Sequence, residues 1–446
     1  MLSAALSNEE EKLLACVHCG LCLEACPTYV QTGNENDSPR GRIYLMRAVE
    51  EGRLDAESNA FRSHINRCLG CRACEQACPA GVEYGQLLEA ARFDLSQAQS
   101  AQRGWTSRAL RFVLRHVWLH PARLRLAFGL ARLMRNLRLP KLMIRTRLAR
   151  LISARFEFAC ALLDSSLARK ASVGEKSWAQ SSPSQKASVL LFKGCVTEGL
   201  FARVNAAAAR VLEANGCAVG TPSGQVCCGA LHAHAGDLEG ARLLARHNID
   251  AFDTEAQPNI VTNAGGCGAM LVSYTHLLAD DAEYHERARE FSSRVRDVSQ
   301  QLAATGIREG ATIDESVTTY DASCHLLYGQ KAGEAPLEIL RAIPELNFVP
   351  LAGSEVCCGG AGVYNLLEPE LSSRVLDEKL AHIKETGAQI LVTGNPGCHM
   401  QIGAGAQLHG MDALRVCHPI ELLDASYARA GFYEKQEEEV RNQKQQ

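Results

Sequence analysis

From Leu110 the apolar positions follow a helical beat. Leu110, Val113, Leu114, Val117 and Trp118 fall at i, i+3, i+4, i+7 and i+8, and Leu130, Leu133, Met134 and Leu137 take up the spacing again. Pro121 and Pro140 interrupt it, because proline lacks the amide hydrogen that a helix interior uses. A shorter helix is read from "RIYLMRAVEEG", closed by Gly52. Further on the period changes. "ASVLLFKGC" is a continuous apolar run of the kind a buried strand shows, and an alanine-rich helix follows over 201–214. Strands alternating with helices predict βαβ units around mostly parallel sheets.

This second half runs through one pattern twice. The first copy reads "ASVLLFKGC", "GCAVGTPSGQVCCG" and "PNIVTNAGGCGAM"; the second reads "VTTYDASC", "LNFVPLAGSEVCCGG" and "AQILVTGNPGCHMQ". Each of these segments reads as a strand followed by a cysteine-bearing loop. The expected organisation combines α+β and α/β classes: a helical N-terminal domain (1–100), a basic amphipathic helical segment with a serine-rich linker (101–186), two tandem α/β repeats (187–312 and 313–433) and a polar tail (434–446).

With 46% hydrophobic and 22% charged residues, the 446-residue chain has an ordinary globular composition. Its charge is unevenly spread: residues 101–186 carry 18 Lys/Arg against 3 Asp/Glu, and the rest carries 29 against 47. From Arg103 to Arg150 there are thirteen basic residues and no acidic one. Two readings stand for this segment: packing on the chain's own acidic body, or docking on an anionic membrane surface or acidic partner. No nucleic-acid recognition motif accompanies the charge. Neither a signal peptide nor a membrane-spanning run is evident, so the expected location is cytoplasmic, peripheral on the cytoplasmic face of the inner membrane.

Nineteen cysteines change the picture most. In a reducing compartment they point to metal binding or catalysis rather than disulfides. "CVHCGLCLEACP" and "CLGCRACEQACP" both read C-x2-C-x2-C-x3-C-P, the spacing of two-cluster ferredoxins, in which the fourth cysteine of each run serves the other cluster. One [4Fe–4S] site is therefore expected from Cys16, Cys19, Cys22 and Cys78, the other from Cys26, Cys68, Cys71 and Cys74. Zinc fits two identical four-cysteine runs poorly. Arg40 and Arg42 are either neighbours of these anionic clusters or ordinary surface charges, and His18 is a loop residue.

In the repeats the cysteines align as Cys195, Cys227, Cys228, Cys267 and as Cys324, Cys357, Cys358, Cys398, with 31 and 38 intervening residues in the first copy and 32 and 39 in the second. Loops beyond the carboxyl ends of parallel strands gather at one edge, so four thiols should converge per repeat. A polynuclear cluster suits adjacent cysteines; a vicinal disulfide and metal-free catalytic thiols are the alternatives. Cys160, Cys217 and Cys417 stand outside the pattern, the last two as core residues. His232, His234, His325 and His399 read as hydrogen-bonded loop residues before ligands or proton relays. "GGCGA" and "GGAGV" read as cluster-loop glycines, and no flavin or nicotinamide site is evident.

Taken together, "ACVHCGLCLEACPTY", "SPRGRIYLMRAV", "RCLGCRACEQACPAGVEYG", "GNPGCHMQI" and the two CCG repeats resemble the iron–sulfur subunit of bacterial glycolate oxidase along nearly the whole chain. The CCG repeats are similar also to those of lactate and anaerobic glycerol-3-phosphate dehydrogenase subunits and heterodisulfide reductase. The resemblance implies an electron-transfer subunit of a flavoenzyme oxidising glycolate to glyoxylate, with FAD on separate subunits and a membrane quinone as acceptor; D-lactate or another 2-hydroxy acid is the alternative substrate. One departure stands out. Where heterodisulfide reductase ends the motif in C-x-x-C, this chain has Met270 and Gln401, so the fifth thiol of that family's non-cubane cluster is missing twice.

Overall fold

The computed structural model describes residues 5–98, 105–167, 188–313 and 315–433. Most of the serine-rich linker and the whole of the polar tail's range, 434–446, lie outside them.

The N-terminal part is helical. Cysteine loops alternate with the helices Pro27–Thr32, Pro39–Glu50, Asn59–Asn66 and Tyr84–Ala98. Ser38 caps Pro39–Glu50 by accepting from Gly41 N at 3.0 Å, and Pro39 stands in the first turn, where no amide partner is needed. Met46, Phe61, Ile65 and Leu87 are fully buried between these helices and form the core that holds the loops in place.

The basic segment folds as read: Trp105–Val113 with a π turn at Leu114–Trp118, then Pro121–Asn136, Leu139–Arg145, Leu148–Ile152 and Ala154–Ser165. Pro121 and Pro140 open helices rather than merely ending them. Part of the segment packs on the chain's own body. Ala154–Ser165 packs on helix Pro396–Leu408, and Pro121–Asn136 packs on helix Cys195–Leu200, where Phe128 lies so close to Gly199 that a Cβ there would sit 2.5 Å from its ring. Leu130, Leu133, Met134 and Leu137, however, face solvent.

Each repeat is built on a parallel sheet, as the alternation predicts. The first comprises β1 (Val189–Phe192), β2 (Val219–Gly220), β3 (Asn259–Thr262) and β4 (Val295–Asp297), in the order β2-β1-β3-β4. The second comprises β5 (Thr318–Asp321), β6 (Ile390–Thr393) and β7 (Arg415–Cys417), in that order. The strand expected in "LNFVPLAG" is reduced to a single bridge between Phe348 and Thr318. Pro350 follows, and proline donates nothing to a ladder.

The repeats share one core. Leu191 and Val261 of the first sheet, Tyr320 and Val392 of the second, and helices Ala202–Ala214 and Pro419–Arg429 belong to one buried cluster. Cys217 and Cys417 lie in it, and Cys160 is buried elsewhere. Equivalent loops meet across the junction, with Gly265 N donating to Gly394 O at 3.0 Å and Gly266 N to Asn395 Oδ1 at 3.1 Å. The glycines of "GGCGA" serve this approach: a Cβ on Gly268 would lie 2.1 Å from Gln330 Oε1.

Candidate iron–sulfur sites

The two N-terminal loops have matching backbones. His18 (φ 55°) and Gly70 (φ 63°) occupy the same place in their runs, as do Gly20 (φ 90°) and Arg72 (φ 66°). Two left-handed residues per loop curl the chain around its own cysteines and turn amide groups inward, as in anion-binding nests. Gly70 N donates to Cys68 Sγ at 3.4 Å, and Tyr84 adds its hydroxyl at 3.6 Å. At Gly20 a side chain would strike Arg40, whose guanidinium donates to His18 O at 3.1 Å.

The second run does not close on itself. Cys68, Cys71 and Cys74 share one small cleft with Cys26 of the first run. Burial pushes the Cys74 thiol far up, and Cys71, Cys68 and Cys26 push it further. Against this cleft lies Arg42, fully buried. It donates to Thr28 Oγ1 at 3.1 Å and to His64 O at 2.7 Å, and it stands 4.0 Å from Cys26 Sγ. Its acidic neighbour, Asp37 at 3.6 Å, is shared with His64 and Arg67. The surplus positive charge beside four sulfurs suits an anionic occupant, and Arg42 is no ordinary surface charge. In the first run, Cys16 and Cys22 pack on the same helical core as Cys78, while Cys19 is exposed.

In both repeats the structure brings the four aligned cysteines together beyond the strand ends. Cys195 and Cys227 lie 3.3 Å apart, Sγ to Sγ. Cys227 pushes the Cys195 thiol up, burial adds to this, and the Trp118 indole pulls against both. Trp118 Nε1 is buried with no partner of normal hydrogen-bond geometry, yet it faces that sulfur. Cys228 interacts in turn with Cys227 and Cys267. In the second repeat Cys357 touches Cys324 and Cys358, and Cys358 touches Cys398. Gly359 N donates to Cys357 Sγ at 3.4 Å and Asn395 Nδ2 to Cys398 Sγ at 3.5 Å. Catalytic thiols need a depressed pKa, whereas Cys195, Cys228, Cys357, Cys358 and Cys398 are held well above the free-thiol value. Cations that replace the thiol protons would relieve that cost.

Among the described residues no three His, Cys, Asp or Glu side chains gather round a point suited to a single metal ion. A polynuclear cluster needs no such point, because it meets each thiol at a different metal atom. With soft donors, inward amides and a buried cation, the residues fit iron–sulfur clusters.

The positions of the absent fifth thiols are filled. Met270 packs in the apolar cluster with Cys227 and Cys228. Gln401 is fully buried, accepts from Asn365 Nδ2 at 2.8 Å and donates to Ser372 Oγ at 3.1 Å. The histidines serve the scaffold. His232 binds Asp237 at 3.0 Å, His399 pairs with Ser165 O at 3.3 Å, and His325 pairs with Gly70 O at 3.0 Å while its ring lies 5.4 Å from that of His234.

Two residues near the sites were not picked out by the sequence pattern. Trp118 is a position in the helical beat of the basic segment, and nothing in the spacing marks it as a neighbour of Cys195. Lys379 forms a buried pair with Asp321 at 2.8 Å and donates to Gly353 O and Ser354 O beneath Cys357 and Cys358. Its signal was a lysine on the apolar face set by Val375, Leu376 and Leu380.

The comparisons with known proteins agree with this architecture. A 4Fe-4S dicluster domain matches residues 12–82, and a cysteine-rich domain, CCG, matches residues 189–272 and 318–403. The probable glycolate oxidase iron-sulfur subunit of Bacillus subtilis is 37% identical over 93% of this chain and 94% of its own length. The chain belongs to the glycolate oxidase iron–sulfur subunit family. The Escherichia coli glycolate oxidase iron-sulfur subunit is 33% identical over 91% of this chain. Lactate utilization protein A of Shouchella clausii is 32% identical over 53% of this chain and 98% of its own length. Members of this family are iron–sulfur subunits of an oxidoreductase, and the mixed α+β and α/β fold fits that assignment.

Proposed function

We propose that this chain relays electrons inside a multi-subunit flavoenzyme that oxidises glycolate to glyoxylate. FAD sits on partner subunits, and the electrons leave to a membrane quinone at the surface where the complex is peripherally bound. Cys16, Cys19, Cys22 and Cys78 hold one [4Fe–4S] cluster; Cys26, Cys68, Cys71 and Cys74 hold the other. The repeats hold one cluster each, on Cys195, Cys227, Cys228 and Cys267 and on Cys324, Cys357, Cys358 and Cys398. When bound, the clusters supply one-electron carriers. The protein's part is to exclude water, supply N–H and O–H donors to sulfur and keep the sites adjacent.

The observation that carries this reading is the continuity of the sulfur sites. Cys22 feels Cys16 and Cys26, Cys26 shares a cleft with Cys71, and Cys71 lies against Cys357. The likeness to lactate utilization protein A supports D-lactate or another 2-hydroxy acid as the alternative substrate. A heterodisulfide-reductase-like reaction has less support, since Met270 and Gln401 fill the places of the fifth thiols. The test is turnover of the purified chain with an artificial acceptor. Alone it should show redox centres and no glycolate oxidation, and adding the flavin subunits should restore the activity. Glycolate oxidation by the isolated, flavin-free chain would refute the assignment.

A further inference from the structure

Helix Pro121–Asn136 has two apolar faces, and only one is covered. Leu124 and Phe128 turn inward, and Arg135 on the same side donates to Leu200 O at 2.9 Å and to Ser166 Oγ at 3.1 Å. Leu126, Leu130, Leu133 and Leu137 fall at i, i+4, i+7 and i+11 and are 55–65% exposed. At about 100° per residue these four form one stripe directly opposite Phe128 and Arg135. Leu142, Leu148 and Leu151 on the next two helices are exposed as well, the last by 81%. Twelve of the twenty exposed large hydrophobic residues among those described lie between Phe112 and Phe156, about a tenth of the chain.

The charges complete the pattern. On the same wheel Arg125 and Arg132 fall roughly 100–120° to one side of the stripe, and Arg138 stands in the left-handed turn that follows the helix. Neither these three nor Arg145 and Arg147 form an ion pair among the described residues, whereas Arg115 and Arg150 are paired with Asp237 and Glu157. An apolar stripe flanked by guanidinium groups without ion pairs among the described residues lets the leucines enter an acyl layer while the arginines reach phosphates at headgroup level. The stripe stands on the outer side of the helix, opposite the side that packs on the chain. No helix among the described residues is long and apolar enough to cross a membrane, and an in-plane surface needs none.

We infer that the outward face of residues 121–152 is a lipid-docking surface that lies in the plane of an anionic bilayer. The face also fixes orientation. Its inner side carries Phe128 onto the helix that begins at Cys195, and Phe128 stacks edge-on against Trp118 at 5.8 Å. The first repeat's sulfur site is thereby placed directly behind the docked helix. This inference rests on the proposed function only for the membrane location of the acceptor.

The test is flotation of the full-length, cluster-loaded protein with vesicles. Phosphatidylethanolamine vesicles containing phosphatidylglycerol should carry the protein up, and phosphatidylcholine vesicles should do so weakly. Replacing Leu130→Glu and Leu133→Glu together should weaken binding at least about tenfold. Replacing Arg132→Glu and Arg138→Glu should remove the preference for the anionic lipid and flatten the salt dependence. The leucine variant should keep its iron content, its cluster spectra and its assembly with the flavin subunits, because the altered side chains are exposed. Unchanged flotation of that variant, or no flotation of the unaltered protein, would overturn the inference. So would loss of flavin-subunit assembly by the same variant, which would mark the face as a protein interface. Failure of electron relay with vesicle binding intact would count against the proposed function instead.

Discussion

Cys71 of the N-terminal domain and Cys357 of the second repeat pack in one small apolar cluster with Leu69 and Cys324, although they belong to different domains of the chain. After burial, Cys357 is the strongest influence raising the Cys71 thiol. The cleft of the second ferredoxin-type run thus abuts the sulfur site of the second repeat. Unpaired spins held on these neighbours should couple. In the dithionite-reduced protein, the EPR signal of the cluster at Cys71 should relax faster than that of an isolated ferredoxin cluster. Cys358→Ser should slow it while leaving the signal's intensity intact. A relaxation rate indifferent to Cys358 would show that the two sites do not communicate.

Arg42 supplies the buried positive charge beside Cys26. Arg42→Gln should lower the reduction potential of the neighbouring cluster, because reduction adds negative charge that the guanidinium offsets. It should also cost about 1–3 kcal/mol in chemical denaturation, since the buried bonds to Thr28 and His64 O are lost while Asp37 keeps His64 and Arg67. Arg42→Lys should restore more of the potential than of the stability, keeping the charge but not the bonds to Thr28 and His64. A potential unmoved by Arg42→Gln would place the charge outside the cluster's field.

Trp118 turns a buried, unpartnered indole N–H toward Cys195. Trp118→Phe keeps the packing against Phe128 and removes the donor. The expected result is a lower potential at the first repeat, with the two ferredoxin-type clusters unchanged, read by potentiometric EPR. Equal shifts at all sites would point to a general loosening instead.

His418 caps helix Pro419–Arg429, its Nδ1 accepting from Ile420 N at 3.1 Å, which requires the neutral ring. Burial pulls its pKa from 6.5 down to about 4. The unfolded chain therefore binds a proton between these values that the folded chain refuses, and stability falls as pH drops from 6.5 to 4. The loss attributable to this group is up to roughly 3 kcal/mol. His418→Ser keeps a capping oxygen and should flatten that part of the pH profile in urea titrations. An unaltered slope would assign the acid sensitivity to other groups.

Much of the site was legible because cluster loops impose fixed spacings. The run C-x2-C-x2-C-x3-C-P dictates a curled loop followed by a helix, and the shared φ pattern of His18/Gly20 and Gly70/Arg72 is its backbone form. The repeat alignment brought Cys195 to Cys227 and Cys324 to Cys357 because strand ends gather loops at one edge. What a residue pattern does not carry is which surface an element meets. The beat of Leu130, Leu133 and Leu137 announces a helix with an apolar face but not whether core, partner or lipid covers it. The sequence leaves Arg42 either a cluster neighbour or a surface charge and does not single out Lys379, because the burial of both depends on contacts that distant loops make. "LNFVPLAG" has the composition of a strand, but Pro350 leaves only a bridge.

The central claim is that all four cysteine sets hold iron–sulfur clusters. Iron and acid-labile sulfide counting on the anaerobically purified chain, paired with EPR quantitation, tests it directly. Four [4Fe–4S] clusters predict about 16 iron atoms per chain, with spins assignable to two ferredoxin-type sites and two further sites. A count of about 8 would strip the repeats of clusters, and a colourless protein carrying zinc would contradict the account entirely.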